Sequence, residues 1–161
     1  MTVKITLTSA ELLQGAIVGV MRYVQNVKRG SVDRKGAETA KNGWQIHITG
    51  AVGELVIAKH YGKFWAGSIG NTKAADVGNL QVRTSFAGRS TPHLLLHADD
   101  DSEAPYFLVA GSGLDYEIFG WILGRDGKNR IYWGDPFGTG RPAYWVPVAD
   151  LHDADTLTPG T

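Results

Sequence analysis

The apolar residues of this 161-residue chain change their dominant period near Gly62, and that change limits the fold more than any single motif does. Before it, Leu12, Leu13, Ala16, Ile17, Val20, Met21, Val24 and Val27 recur every three to four positions, the spacing of an amphipathic helix. After it, apolar residues come in short runs divided by Gly and Pro, which reads as strands. Helices early and strands late predict an α+β fold in which helices flank a sheet. No repeat, low-complexity block or linker divides the chain, so residues 1–161 are expected to form one domain. Its helical part covers about 8–62 and its sheet-rich part about 63–150.

Thr8-x-x-Glu11 is a capping box that starts the first helix. Lys28-Arg29 followed by Gly30 supplies a basic last turn and a stop. The polar, Gly-containing stretch 30–43 predicts a surface loop. Trp44, Ile46 and Ile48 alternate with Gln45 and His47, which predicts a short strand over 44–49. A second helix fits 51–61, closed by Gly62. Strands are expected at 64–69, 80–85, 93–97, 106–110, 117–123, 130–133 and 143–148. One helical turn is expected within the acidic segment 99–104, and a last one near Ala149.

Composition removes several function classes. With 43% apolar and 10% aromatic residues the chain can bury a core, so wholesale disorder is excluded. The absence of cysteine excludes disulfides, thiol nucleophiles and zinc–thiolate sites. No run approaches the roughly 18 apolar residues of a membrane span, and the first residues lack the zones of a secretory signal. A cytoplasmic protein without a membrane partner is expected. The 16 basic and 16 acidic residues cancel, but unevenly. Residues 1–90 hold twelve Lys/Arg and five Asp/Glu, whereas 91–161 hold four and eleven. A neutral protein of this kind has the charge for one polyanion-binding face.

Within the basic half, Glu54 stands out. Its helical neighbours at three and four positions are Gly50, Ala51, Ile57 and Ala58, none of them a cation. A carboxylate on so apolar a helix is costly to bury unless a metal ion or a base neutralises it. Further on, Asp76-Val-Gly-Asn-Leu-Gln81-Val82-Arg83-Thr-Ser places Asp76 before a Gly-Asn turn and a strand after it. Gln81, Arg83 and Ser85 then share one strand face, and Leu80, Val82 and Thr84 the other.

Glu54 followed by Asp76-(x)4-Gln81-x-Arg83 resembles the active-site signature of the PD-(D/E)XK, or restriction-endonuclease-like, nuclease superfamily. There a helix supplies Glu, a turn entering a strand supplies Asp, and the next strand supplies an acid, one residue, then Lys. The resemblance covers about 50–86 and implies a restriction-endonuclease-like mixed sheet flanked by helices. It also implies an Mg²⁺- or Mn²⁺-dependent endodeoxyribonuclease. Glu54, Asp76, the Gln81 amide oxygen and the Val82 carbonyl would hold the ion, which suits a hard cation, and Arg83 would face the scissile phosphate. Gln81 in place of an acid lowers metal affinity. Arg83 in place of Lys keeps its proton, so it stabilises charge rather than acting as a base. The alternative is a catalytically weak or inactive module of the same fold that binds nucleic acid or a protein partner.

Lys59, Lys73 and Arg89 are the expected phosphate contacts on duplex or branched DNA. The small size favours a homodimer or a partner protein, and a phage or mobile-element setting would suit so compact a nuclease. His93 and His97 would stand about 13 Å apart on a strand, too far to share an ion. Most of the five Trp occupy apolar contexts and are expected in the core. Trp65, close to Lys63, is the exception best placed to stack on a base. The Gly-rich pieces lack phosphate-loop spacing, and no serine stands in a nucleophile elbow.

Overall fold

Thr8 opens the first helix as its sequence requires. Its hydroxyl accepts the Glu11 N–H at 3.2 Å, and the Glu11 carboxylate accepts the Thr8 N–H at 2.7 Å. In this computed structural model, which describes residues 2–30, 37–70, 75–86, 92–136, 138 and 140–158, α1 runs Ser9–Lys28. Gly30 follows it with a φ of +60°. The next helix, α2, is Ala37–His60, and Gly62 (φ +59°) ends it. Gly15 meets Val52 and Gly19 meets Ile48, so the two helices run antiparallel at close quarters. A Cβ at Gly19 would lie 2.6 Å from the Ile48 nitrogen, and only glycine allows that approach.

α2 corrects two expectations. It begins inside the stretch 30–43 that composition marks as loop, and it includes 44–49, where alternation predicts a strand. Six residues are too few to separate the two periods. Ile48, Val52 and Leu55 continue the apolar contacts as a helical face packed on the core, and that packing decides the conformation.

The strands form two sheets. β1 (Val3–Thr6), β5 (Asp115–Leu123), β4 (Pro105–Ser112) and β2 (Gln81–Phe86) make a four-stranded sheet in that order. β2 is parallel to β4, and the other pairs are antiparallel. β3 (His93–Leu96), β7 (Ala143–Pro147) and β6 (Trp133–Gly134) make a smaller antiparallel sheet. The layers are helices, large sheet and small sheet. Val52, Val56, Val82, Phe107, Val109 and Ile118 fill the first interlayer; Leu94, Leu96, Tyr106, Leu108, Ile122 and Val146 fill the second. β4 is therefore covered on both faces, which explains its unbroken run Tyr-Phe-Leu-Val. The pairing of β4 with β5 shifts between Leu108 and Val109. This bulge lets Ile118 face the helices and Ile122 face the small sheet.

The chain is thus α+β, with 81–86, 93–96, 105–112, 115–123 and 143–147 as strands close to expectation. Three expectations differ. The segment 64–69 has no regular structure, because its groups serve side chains of α1 and α2, as described below. Arg130–Tyr132 is a 3-10 turn capped by Asn129, leaving only Trp133–Gly134 as strand. The acidic segment 99–104 is turn and bend. β1 pairs its four residues with β5 without having been foreseen; a four-residue run is too short to signal alone. The turn expected near Ala149 is the 3-10 helix Val148–Asp150, and another, Ala154–Thr156, follows it. No helix among the described residues is long and apolar enough to cross a membrane.

Candidate functional site

Eight successive residues of α2, 51–58, are buried, and Glu54 is the charged one among them, 6% exposed. Its own helix offers no counter-charge, and the partner comes from α1. Arg22 Nη1 donates to Glu54 Oε1 at 2.5 Å and Nη2 to Oε2 at 2.8 Å, a bidentate pair. Trp65 Nε1 donates to Oε2 at 3.0 Å, and Arg22 Nε donates to the Ser68 carbonyl at 2.9 Å. Burial acts to lower the Arg22 pKa, but the Glu54 hydrogen bonds and charge outweigh it, so the guanidinium is held more firmly protonated than usual. Trp65 is buried, which corrects the expectation that it is exposed for stacking on a base. The irregular path of 65–70 now has a cause: Trp65 and Ser68 are both spent on this cluster.

Asp76 sits where the sequence puts it, in the tight turn that leads into β2. Its N–H donates to the Leu80 carbonyl at 3.0 Å, and Gly78 takes a φ of +61°. Asp76 Oδ2 accepts the Val82 N–H at 2.7 Å. Burial, and then the charge of Glu54, push the Asp76 carboxyl up to about 6; the Val82 N–H, Arg83 and Arg22 act in the opposite direction. Two carboxylates therefore share one neighbourhood, and the charge of Glu54 disfavours ionisation of Asp76.

Val82 and Thr84 face α2, with Thr84 directly against Gly53. Arg83 lies on the other face, toward the small sheet. It donates to the Leu95 carbonyl at 3.2 Å and to Asp100 Oδ2 at 2.9 Å, and stands 5.0 Å from the centre of the Tyr106 ring. Asp100 also accepts the His97 N–H at 2.9 Å. By alternation Gln81, half-buried, shares the Arg83 face. Glu54 and Asp76 come together on the helix side, Gln81 and Arg83 stand across the strand, and Asp76 at the sheet edge senses both groups. Sequence reasoning missed Arg22, Trp65 as a donor, and Asp100. For Arg22 there was a signal: it lies three residues beyond Gly19, near the face that Gly15 and Gly19 press against α2.

Comparison with protein-family models, curated proteins and solved structures finds no match to this chain.

A divalent ion would meet hard oxygen donors here, as such ions require. An ionised carboxylate has about four acceptor directions. Arg22 takes one on each Glu54 oxygen and Trp65 a second on Oε2, so Oε1 keeps one direction open among the described residues. Asp76 uses Oδ2 for the Val82 N–H. The two carboxylates would offer oxygen to a magnesium-like ion. Gln81 stands across the strand from them, and the Val82 carbonyl accepts from Arg83 Nη1 at 3.4 Å. This corrects the expectation that all four gather round one ion. No three His, Cys, Asp or Glu side chains gather as a metal site among the described residues.

Lys59 is partly committed. Its ammonium donates to the Thr6 carbonyl at 2.9 Å and to Glu11 at 2.7 Å, which leaves one of its three N–H groups for a phosphate. Lys73 and Arg89 lie outside the described residues. β3 is a strand, so His93 and the His97 that follows it stay apart.

Proposed function

We propose that the chain is a divalent-metal-dependent endonuclease of the restriction-endonuclease-like class acting on DNA. The main support is the meeting of Glu54, from a buried helix turn, with Asp76, from the turn into β2, two residues of one short signature held in electrostatic contact. A magnesium or manganese ion held by Glu54 and Asp76 would polarise the scissile phosphate and lower the pKa of the attacking water. Arg22 fixes the rotamer of Glu54 and leaves one acceptor direction of Oε1 untaken among the described residues. Burial and the charge of Glu54 push the Asp76 carboxyl up to about 6, a cost that a bound cation would offset. Arg83 gives N–H groups to the Leu95 and Val82 carbonyls and to Asp100, and its remaining ones would neutralise a phosphate oxygen.

Supercoiled plasmid incubated with Mg²⁺ or Mn²⁺ tests this activity. The wild-type protein nicks or linearises it, EDTA abolishes cleavage, and Asp76→Ala lowers the rate at least about 100-fold, the upper end for loss of a supporting residue at a metal site. Equal cleavage by Asp76→Ala would refute the assignment. A second reading, a binding module without catalysis, is favoured by one observation: both arginines of the site are already paired with carboxylates, Arg22 with Glu54 and Arg83 with Asp100. DNA retardation in a gel without cleavage under either metal would select it.

A further inference from the structure

Glu54 already holds a cation. The Arg22 guanidinium sits on its carboxylate in bidentate fashion, at 2.5 and 2.8 Å, and the Trp65 indole adds a third N–H. Of about four acceptor directions, both on Oε2 are taken and one remains on Oε1 among the described residues. A metal ion could therefore reach Glu54 through one oxygen only, and it would arrive beside a guanidinium. That guanidinium is fixed from a second side, since Arg22 Nε donates to the Ser68 carbonyl at 2.9 Å. Its side chain is four-fifths buried, so salt and water screen its charge less than they would at the surface.

The charges around the two carboxylates can be counted. Glu54, Arg83 and Arg22 act on Asp76, and Arg83 is offset by Asp100 at 2.9 Å. Two carboxylates against one guanidinium leave a single net negative charge for a divalent ion. The expected oxygens of Gln81 and Val82 do not make up the difference, because one lies across the strand and the other is engaged by Arg83. We propose that Arg22 is a resident competitor of the divalent ion at Glu54, keeping the affinity of the Glu54–Asp76 pair low in the chain without DNA. This rests on the reading of those two carboxylates as the ligands of the nuclease's ion. At a separation of roughly 5 Å, repulsion between a divalent ion and a guanidinium is worth about tenfold in affinity even at the dielectric constant of water. Arg22 thus makes occupancy of the site depend on how much divalent ion surrounds the protein.

Mn²⁺ titrated into the full chain without DNA, with the free ion counted by electron paramagnetic resonance, tests the proposal. The pH is held at about 7.5, where Asp76 carries its charge. Arg22→Gln keeps an N–H donor for Glu54 and loses the charge, and it should bind Mn²⁺ at least about tenfold more tightly than the wild type. Arg22→Lys keeps the charge and should bind as the wild type does. Adding Asp76→Asn to Arg22→Gln should cancel the gain, which locates the ion at this pair. A folded Arg22→Gln with equal or weaker Mn²⁺ affinity would overturn the proposal. If circular dichroism shows Arg22→Gln to be unfolded, Mn²⁺ should refold it by taking the place of the guanidinium, and failure to refold would overturn the proposal as well. Either of these results alongside plasmid cleavage by the wild type would remove this inference and leave the nuclease reading standing. Tighter Mn²⁺ binding by Arg22→Gln without any cleavage by the wild type would do the reverse.

Discussion

Glu54 is held by three N–H groups from two separate parts of the chain, so removing it leaves Arg22 four-fifths buried without its counter-charge. Glu54→Ala should cost about 3–5 kcal/mol in urea denaturation, the penalty for breaking a buried pair by removing one partner, and Glu54→Gln should cost less because it keeps an acceptor for Trp65. Asp76 works in the opposite sense. Its pKa is raised in the fold, to about 6, so between about pH 4 and pH 6 the folded state binds a proton that the unfolded chain has released. Its contribution to stability therefore falls as pH rises through that window, and the penalty is complete above 6. Asp76→Asn keeps an acceptor for the Val82 N–H and should melt higher than wild type above pH 6, by up to about 3 kcal/mol, with no advantage near pH 4. Melting curves at both pH values check this. Both carboxylates were legible in the sequence, one as a charge without a helical partner, the other as an acid before a Gly-Asn turn. Arg22 was legible only as a residue near the glycine face of its helix, three beyond Gly19; its pairing with Glu54, 32 residues away on another helix, was not.

The elements reach their places through close approaches rather than long side chains. Gly19 lies on the backbone of Ile48, and Gly53 lies on Thr84, which brings the Glu54 turn of α2 against β2. Gly19→Ala should destabilise by about 3 kcal/mol, the upper end for overpacking, since the obstacle is backbone and cannot turn aside. The Thr84 hydroxyl is buried and has no hydrogen-bond partner among the described residues. Thr84→Val removes that unsatisfied group at nearly constant shape and should stabilise by about 1 kcal/mol; urea titrations measure both variants. At this scale the sequence was readable where local chemistry and tertiary demand agree, as at the Thr8 capping box and in the doubly covered strand β4. It misled where they differ. The residues at 64–69 have strand-like composition, but the Trp65 indole and the Ser68 carbonyl are drawn to the Arg22–Glu54 pair and the backbone follows them.

In the whole molecule the uneven charges of the two halves are partly reconciled by the fold. Asp100 of the acidic half pairs with Arg83 of the basic half, and Asp155 pairs with His60. The register of the large sheet has one more consequence. Val3 pairs with Ile118, and the hydrogen bond between Leu7 N–H and Leu114 carbonyl extends that contact. As the polypeptide leaves the ribosome, its first strand must wait for more than a hundred residues to be synthesised before a partner exists. The α1–α2 hairpin needs only what has already emerged. The nascent chain can therefore assemble its helical layer early, but it closes the sheet only after residues 115–118 have emerged.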